Sequence, residues 1–213
     1  MSAMPAALRH AIQQLATTQT GLKDSAGRIS AHYRERGTSS QVIGGEGDAI
    51  AYALSRMPAT YAAAAEVFTE LRALAPGFQP TALLDVGAGP GTAAWAAAEA
   101  FPGISATLLD HNPAFLALAR VLGGETPVGS VEVERGELTG LKLSASYDLI
   151  TCAYAMTELD DPSMALAAEK LWAATSGALV IIEPGRPRDY ERLMSLRARL
   201  LALGGEILAP CPH

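Results

Sequence analysis

Apolar positions along the chain change rhythm near residue 78. Before it they recur at helical spacing, in "PAALRHAIQQLA" (5–16), "KDSAGRISAHYRER" (23–36), "DAIAYALSRM" (48–57) and "ATYAAAAEVFTELRAL" (59–74). "TSSQVIGGEG" (38–47) reads as a loop, and Pro58 as a break or restart between two helices. After it the apolar runs shorten to strand length: "ALLDV" (82–86), "SATLLD" (105–110), "SVEVE" (130–134), "DLITCAY" (148–154) and "ALVIIE" (178–183). Helical segments at 92–101, 113–122, 161–175 and 187–203 lie between most of them. This alternation predicts an α/β fold, a parallel Rossmann-like sheet of order 3-2-1-4-5 with helices on both faces. The expected organisation is an N-terminal helical region, 1–78, followed by a sheet domain, 79–213.

Composition narrows the class. A chain of 213 residues, 49% hydrophobic and 18% charged, has enough material for one sizeable core. No apolar run is long enough to span a bilayer, and the start "MSAMPAALRH" lacks the pattern of a secretory signal, so no membrane partner is expected. Two cysteines, Cys152 and Cys211, do not make a disulfide framework; no disulfide partner is expected, and a reducing cytoplasm is the default setting. A net charge of −6 argues against an extensive nucleic-acid footprint while leaving room for a local basic patch.

The chemistry concentrates in "LLDVGAGPGT" (83–92). Gly87, Gly89 and Gly91 follow a strand and open a helix, with Ala88 and Pro90 between them. The spacing is G-x-G-x-G, one residue tighter at the third glycine than the dinucleotide fingerprint. Asp85 precedes the first glycine; a carboxylate there disfavours a pyrophosphate and suits a ligand carrying an ammonium group. Asp110 ends the second strand about 20 residues past the loop, where an acid accepts hydrogen bonds from ribose hydroxyls. Taken singly, Asp85 is equally an ordinary strand-end carboxylate, and Asp110 a capping or turn aspartate before Asn112-Pro113. Together with the loop they point to S-adenosylmethionine (SAM). His111, Glu137 and Leu138, and Cys152 with Ala153 at the end of the fourth strand, complete the expected cofactor wall. Cys152 itself reads as a buried small hydrophobe rather than a nucleophile.

The order "LLDVGAGPGTAAWAA … ATLLDHNPAFLALAR … DLITCAYAMTELDD … ALVIIEPG" resembles a class I SAM-dependent methyltransferase. "AYALSRMPATYAA" (51–63), "AYAMTEL" (153–159) and the run from "IIEPGRPRDYERL" to "APCPH" (181–213) are similar to the small-ribosomal-subunit methyltransferase-like family. That resemblance covers about residues 48–213. It implies the SAM fold, association with the small ribosomal subunit or its rRNA, and a cysteine-held iron–sulfur cluster. "APCPH" matches the first part of the cysteine pattern, so Cys211 alone maps onto a metal ligand, and one cysteine cannot hold a cluster. The cluster is therefore expected only in a longer chain. The sheet of such enzymes normally ends in an antiparallel sixth and seventh strand; "GGEILAPCPH" (204–213) supplies at most the sixth, so the last strand or strands, and further cysteines, are expected beyond residue 213.

Candidate substrate residues are Arg56, Tyr61, Tyr154, Glu158, Arg188 and Arg192. Tyr154 offers a stacking surface or core packing, and Glu158 a base or the opening of a helical segment. Neither is assigned as catalytic. Arg186, Arg188, Arg192, Arg197 and Arg199 form a basic cluster in an acidic chain, and 188, 192 and 199 share one helical face. A solvated face and a phosphate-contacting patch fit it equally. Three functions follow: a methyltransferase acting on small-subunit rRNA, a non-catalytic assembly factor that binds SAM, or a small-molecule methyltransferase. The methylated atom is not legible.

Overall fold

The computed structural model describes residues 3–34 and 39–210. Five helices come first: α1 (Ala6–Thr17), α2 (Leu22–Arg34), α3 (Ser39–Val42), α4 (Glu46–Ser55) and α5 (Met57–Leu74). α1 buries Leu8 and Ile12, four residues apart on one face. Pro58 falls in the first turn of α5, where its missing N–H would have no partner anyway. α4 and α5 therefore meet at Arg56, and the proline restarts the helix rather than ending one. The segment 38–47, expected as a loop, contains the four-residue α3.

The second half alternates β1 (Ala82–Val86), α6 (Thr92–Ala100), β2 (Ser105–Asp110), α7 (Pro113–Gly123), β3 (Ser130–Arg135), β4 (Tyr147–Ala153), α8 (Asp161–Ala173), β5 (Thr175–Ile182) and α9 (Pro187–Ala202). The sheet is parallel throughout, in the order β3-β2-β1-β4-β5 that the sequence predicts. β1 is central and buried at Leu83, Leu84, Asp85 and Val86, as a strand covered on both faces must be. β5 begins three residues earlier than its apolar run. Gly177 lies so close to the Asp148 carbonyl and the Phe78 ring that a Cβ there would overlap both. "TSG" looks like a loop in sequence, yet here it pairs with β4 across a register irregularity.

Helices and sheet share their apolar interior. One cluster runs from Met4 and Leu8 through Ile50, Met57 and Phe68 to Trp95, Leu108 and Ile182. The boundary near residue 78 thus marks a change of architecture across a continuous core. A second cluster, on the other face of the sheet, joins Leu84, Val86, Cys152, Met156, Met164 and Leu171 under α8 and α9. After α9 the chain turns at Gly204, φ 85°, and residues 205–210 form no strand, so no sixth strand follows α9 among the described residues. Among the described residues the sheet ends at β5.

Candidate functional site

The carboxyl ends of β1, β2 and β4 open into a cleft of about 310 Å³. Its walls come from four places: Gly87 and Gly89 after β1, Asp110 and His111 after β2, Gly136–Thr139 after β3, and Ala153–Ala155 after β4. This is the point where strand order reverses, the position where open parallel sheets bind ligands. Tyr52 from α4 and Phe115 from α7 close the side, packed edge to face with ring centroids 4.9 Å apart.

The glycine loop is held from beneath. Gly87 and Ala88 donate their N–H groups to the Leu109 carbonyl at 2.8 and 3.1 Å. Gly87 has φ 68°, and a Cβ on it would sit 2.4 Å from the Ala155 methyl. Gly89 has φ 55°, and a Cβ there would meet only Phe115, at 3.9 Å. Gly91 serves the fold instead. With φ 82° it precedes α6, and a Cβ would lie 2.4 Å from the Trp95 indole, which donates to the Pro90 carbonyl at 2.8 Å. It does not line the cleft; loop curvature turns it into the core.

Both acids are buried. Asp110 accepts from Gly89 N–H through one oxygen and from Asn112 N–H through the other, each at 2.8 Å. Burial holds its carboxyl above the usual range against these bonds. The helix cap beside it is Asn112, which accepts from Ala114 and Phe115 and donates to the Ile43 carbonyl. Asp85 accepts from Thr151 Oγ1 at 2.6 Å and from Ala94 N–H at 3.2 Å, and burial pushes it up to about 6. It borders a small recess between the glycine loop, Thr60 and Ala64. Its two oxygens tie β1 to β4 and α6, a scaffold role beside the ligand contact expected from sequence. His111 lines the cleft with Nδ1 3.5 Å from Asp110; its Nε2 is buried and makes no hydrogen bond among the described residues.

Glu137, Leu138 and Ala153 lie on the cleft wall as expected. Cys152 does not. Successive strand residues face opposite ways, and Cys152 points into the α8–α9 core, fully buried, its thiol pushed up chiefly by that burial. Tyr61 is likewise absent from the site. One residue past Thr60 on α5, it points toward α6 and a groove beside Glu99. Cys211 and His213 lie outside the described residues. Among those described, no group of three or more His, Cys, Asp or Glu could hold a metal ion, and no helix is long and apolar enough to cross a membrane.

A second cleft, of about 440 Å³, adjoins the first. Tyr52, Tyr154 and Glu158 line both. Arg56, Arg186, Arg188 and Arg192 surround it, with Thr60, Thr157 and Asp189. Arg186 pairs with Asp189 at 2.6 Å; Arg192 is tied to Asp161 at 2.7 Å and to the Leu159 carbonyl. Arg199 pairs with Glu169 on α8. Positions 188, 192 and 199 do line one groove. Two of them are nevertheless committed to holding α9 on its neighbours, which leaves exposed Arg188 as the cation presented there. Tyr154, with φ 60°, is the one non-glycine residue in the left-handed region among those described, and it lines both clefts. Such strain gathers at ligand sites. Sequence reasoning did not single out Tyr52, Phe115, Thr139 or Glu183, although Tyr52 and Phe115 lie within stretches that carry the family resemblance.

Residues 46–213 match a family model described as "Mitochondrial small ribosomal subunit Rsm22". The chain belongs to the Rsm22 family. It is 31% identical over 189 residues to the human "Ribosome assembly protein METTL17, mitochondrial", an alignment covering 79% of this chain and 40% of the human protein. This Rsm22-family chain therefore spans less than half of that relative. Its fold is that of class I SAM-dependent methyltransferases. A SAM-bound aminopentose methyltransferase, CalS10 from Micromonospora echinaspora, is 28% identical with a TM-score of 0.50, over 76% of this chain and 58% of that one. Magnesium protoporphyrin IX methyltransferase from Synechocystis, also solved with bound SAM, shows the same fold at 14% identity and a TM-score of 0.53, over 65% and 66% of the chains.

Proposed function

We propose that this protein binds SAM in the first cleft and acts on, or docks with, small-subunit rRNA through the second. The observation that carries the reading is that the two clefts share Tyr52, Tyr154 and Glu158 as lining residues, the first bounded by the glycine loop and Asp110 and the second ringed by arginines. Three features support the cofactor: Asp110, the acceptor type that ribose hydroxyls need, lines the cleft; a Cβ on Gly89 would meet only Phe115, at 3.9 Å; and His111 lines the same cleft. When bound, SAM supplies an electrophilic methyl group. The chain's own task is to orient an acceptor at the junction, and orientation carries much of the rate in such in-line transfers. Tyr52 lines both clefts, and burial pushes its hydroxyl up to about 12.

A second reading, a SAM-binding assembly factor without catalysis, is supported by the name of the human relative, a ribosome assembly protein. Transfer of tritium from labelled SAM to purified small-subunit particles separates the two. Label in the RNA supports catalysis; particle binding without transfer supports the assembly role. Binding of SAM with no salt-sensitive affinity for the particle would instead favour a small-molecule acceptor. The iron–sulfur cluster suggested by resemblance enters no step here, since its one mapped residue, Cys211, is outside the described chain.

A further inference from the structure

β4 and β5 stop together: Ala153 pairs with Ile182, and Tyr154 N–H closes the ladder on the Ile182 carbonyl at 2.7 Å. From there the chain turns through the left-handed Tyr154 into a 3-10 turn at Met156–Glu158. This short stretch shapes both clefts. Tyr154 and Glu158 line each of them, Ala155 the first and Thr157 the second. Ala155 also presses on Gly87, so a shift of the turn reaches the glycine loop directly.

A tyrosine held at positive φ needs its surroundings to hold it, and the first N–H groups of a helical turn have no acceptor within the turn. Glu183, the residue after β5, supplies one. Its Oε1 accepts from Met156 N–H at 3.0 Å, and Thr157 N–H also favours its charged form. The other oxygen, Oε2, is buried and has no hydrogen-bond partner among the described residues. The groups facing this carboxyl are Cys152 and Tyr154 from the β4 side and Asp189 and Arg192 from α9. Arg192 is already engaged by Asp161 and Leu159, and Asp189 by Arg186.

We propose that Glu183 is a positioning residue, a proton-sensitive latch whose ionised carboxylate holds the 154–158 turn in the shape that the cofactor cleft needs. Burial, reinforced by Asp189 and opposed by the backbone bonds and Arg192, pushes this carboxyl up to about 7, so the latch changes state near neutrality. Its charged form is the better acceptor for the Met156 N–H, since charge-assisted hydrogen bonds are roughly twice as strong as neutral ones. Ligand binding that needs the held turn therefore favours the ionised form, releases a proton around neutrality, and tightens as pH rises through it. The inference rests on the cofactor reading above.

The test has two arms. In the ligand-free protein, the Met156 amide resonance should titrate with a midpoint near that of Glu183 and stay fixed in Glu183→Gln. In the second arm, S-adenosylhomocysteine is titrated calorimetrically from pH 6 to 8.5, in buffers of different ionisation enthalpy. Wild type should gain about fivefold in affinity across that range, the difference between a charge-assisted and a neutral hydrogen bond. Glu183→Gln should give a flatter profile near the weaker limit. His111 lines the same cleft in both proteins, so the difference between the profiles belongs to Glu183. A Met156 amide that does not titrate, or a variant that keeps the wild-type profile, overturns the latch. Failure of wild type to bind S-adenosylhomocysteine, with the amide still titrating, upholds the latch and sinks the cofactor reading instead.

Discussion

Two glycines of one loop should fail in different ways when a methyl group is added. Gly89→Ala and Gly91→Ala both place a Cβ at positive φ, 55° and 82°, at a cost of about 1–2 kcal/mol each. At Gly89 little is added, because the new carbon meets only Phe115, at an ordinary 3.9 Å. At Gly91 it would lie 2.4 Å from a fully buried indole, well inside normal carbon contact, and overpacking of this kind costs about 1–3 kcal/mol more. Gly91→Ala should therefore lose about 2–5 kcal/mol of unfolding free energy and Gly89→Ala about 1–2 kcal/mol. Ligand binding should rank the other way. Gly89 faces the cleft and lends its N–H to Asp110, whereas Gly91 touches no part of it. Urea denaturation followed by tryptophan fluorescence reads the first quantity, and calorimetric titration of SAM into the folded variants reads the second. Equal losses of stability, or wild-type SAM affinity in Gly89→Ala, would refute the division of labour.

Asp110→Ala should weaken SAM by on the order of 1–3 kcal/mol, the cost of a lost charged acceptor, and a calorimetric titration at pH 8 measures it. It also strands the Gly89 and Asn112 N–H groups, so Asp110→Asn, which keeps one acceptor, should fold better while still binding more weakly. In the arginine segment, Arg188→Gln should lower the slope of log affinity against log salt for small-subunit RNA by at most about 1. Arg199→Gln, whose guanidinium is paired with Glu169, should leave the slope nearly unchanged, and filter binding at several salt concentrations tells the two apart.

Much of the fold was legible because its signals are local. A strand buried on both faces must be largely apolar, so β1 and β4 declare themselves; Pro58, Pro113 and Pro187 mark helix starts because there a missing N–H is harmless. The start of β5 was not legible, since the pairing of "TSG" depends on a neighbour 29 residues away rather than on its own composition. The site divides the same way. Glycine loop, Asp110, His111 and Glu137 carry motif or spacing. Tyr52 and Phe115 reach the cleft by helix packing, and helix register alone separates Thr60 at the cleft from Tyr61 in the core. Glu183 escaped because its neighbours on the chain, Ile182 and Pro184, read as a strand running into a turn, while its partner lies 27 residues earlier.

The placement of Tyr52 bears on what the helical region is for. Asp110, the glycine loop and the β3 exit give the first cleft a floor and one wall, but the opposite wall is α4, and the second cleft takes Ser55, Arg56, Ala59 and Thr60 from α4 and α5. The sheet by itself would leave these faces to water. α4 is in turn fixed from several sides: Asp48 accepts from Gly44 N–H and pairs with Arg28 of α2, and the Ile43 carbonyl accepts from Asn112 at the start of α7. The same asparagine donates its backbone N–H to Asp110. A contiguous set of bonds thus runs from the helical region to the carboxylate on the cleft floor. The bonds at Asn112 are buried, and buried polar groups hold position only when they are satisfied, which makes the helices part of the site rather than an appendage to it.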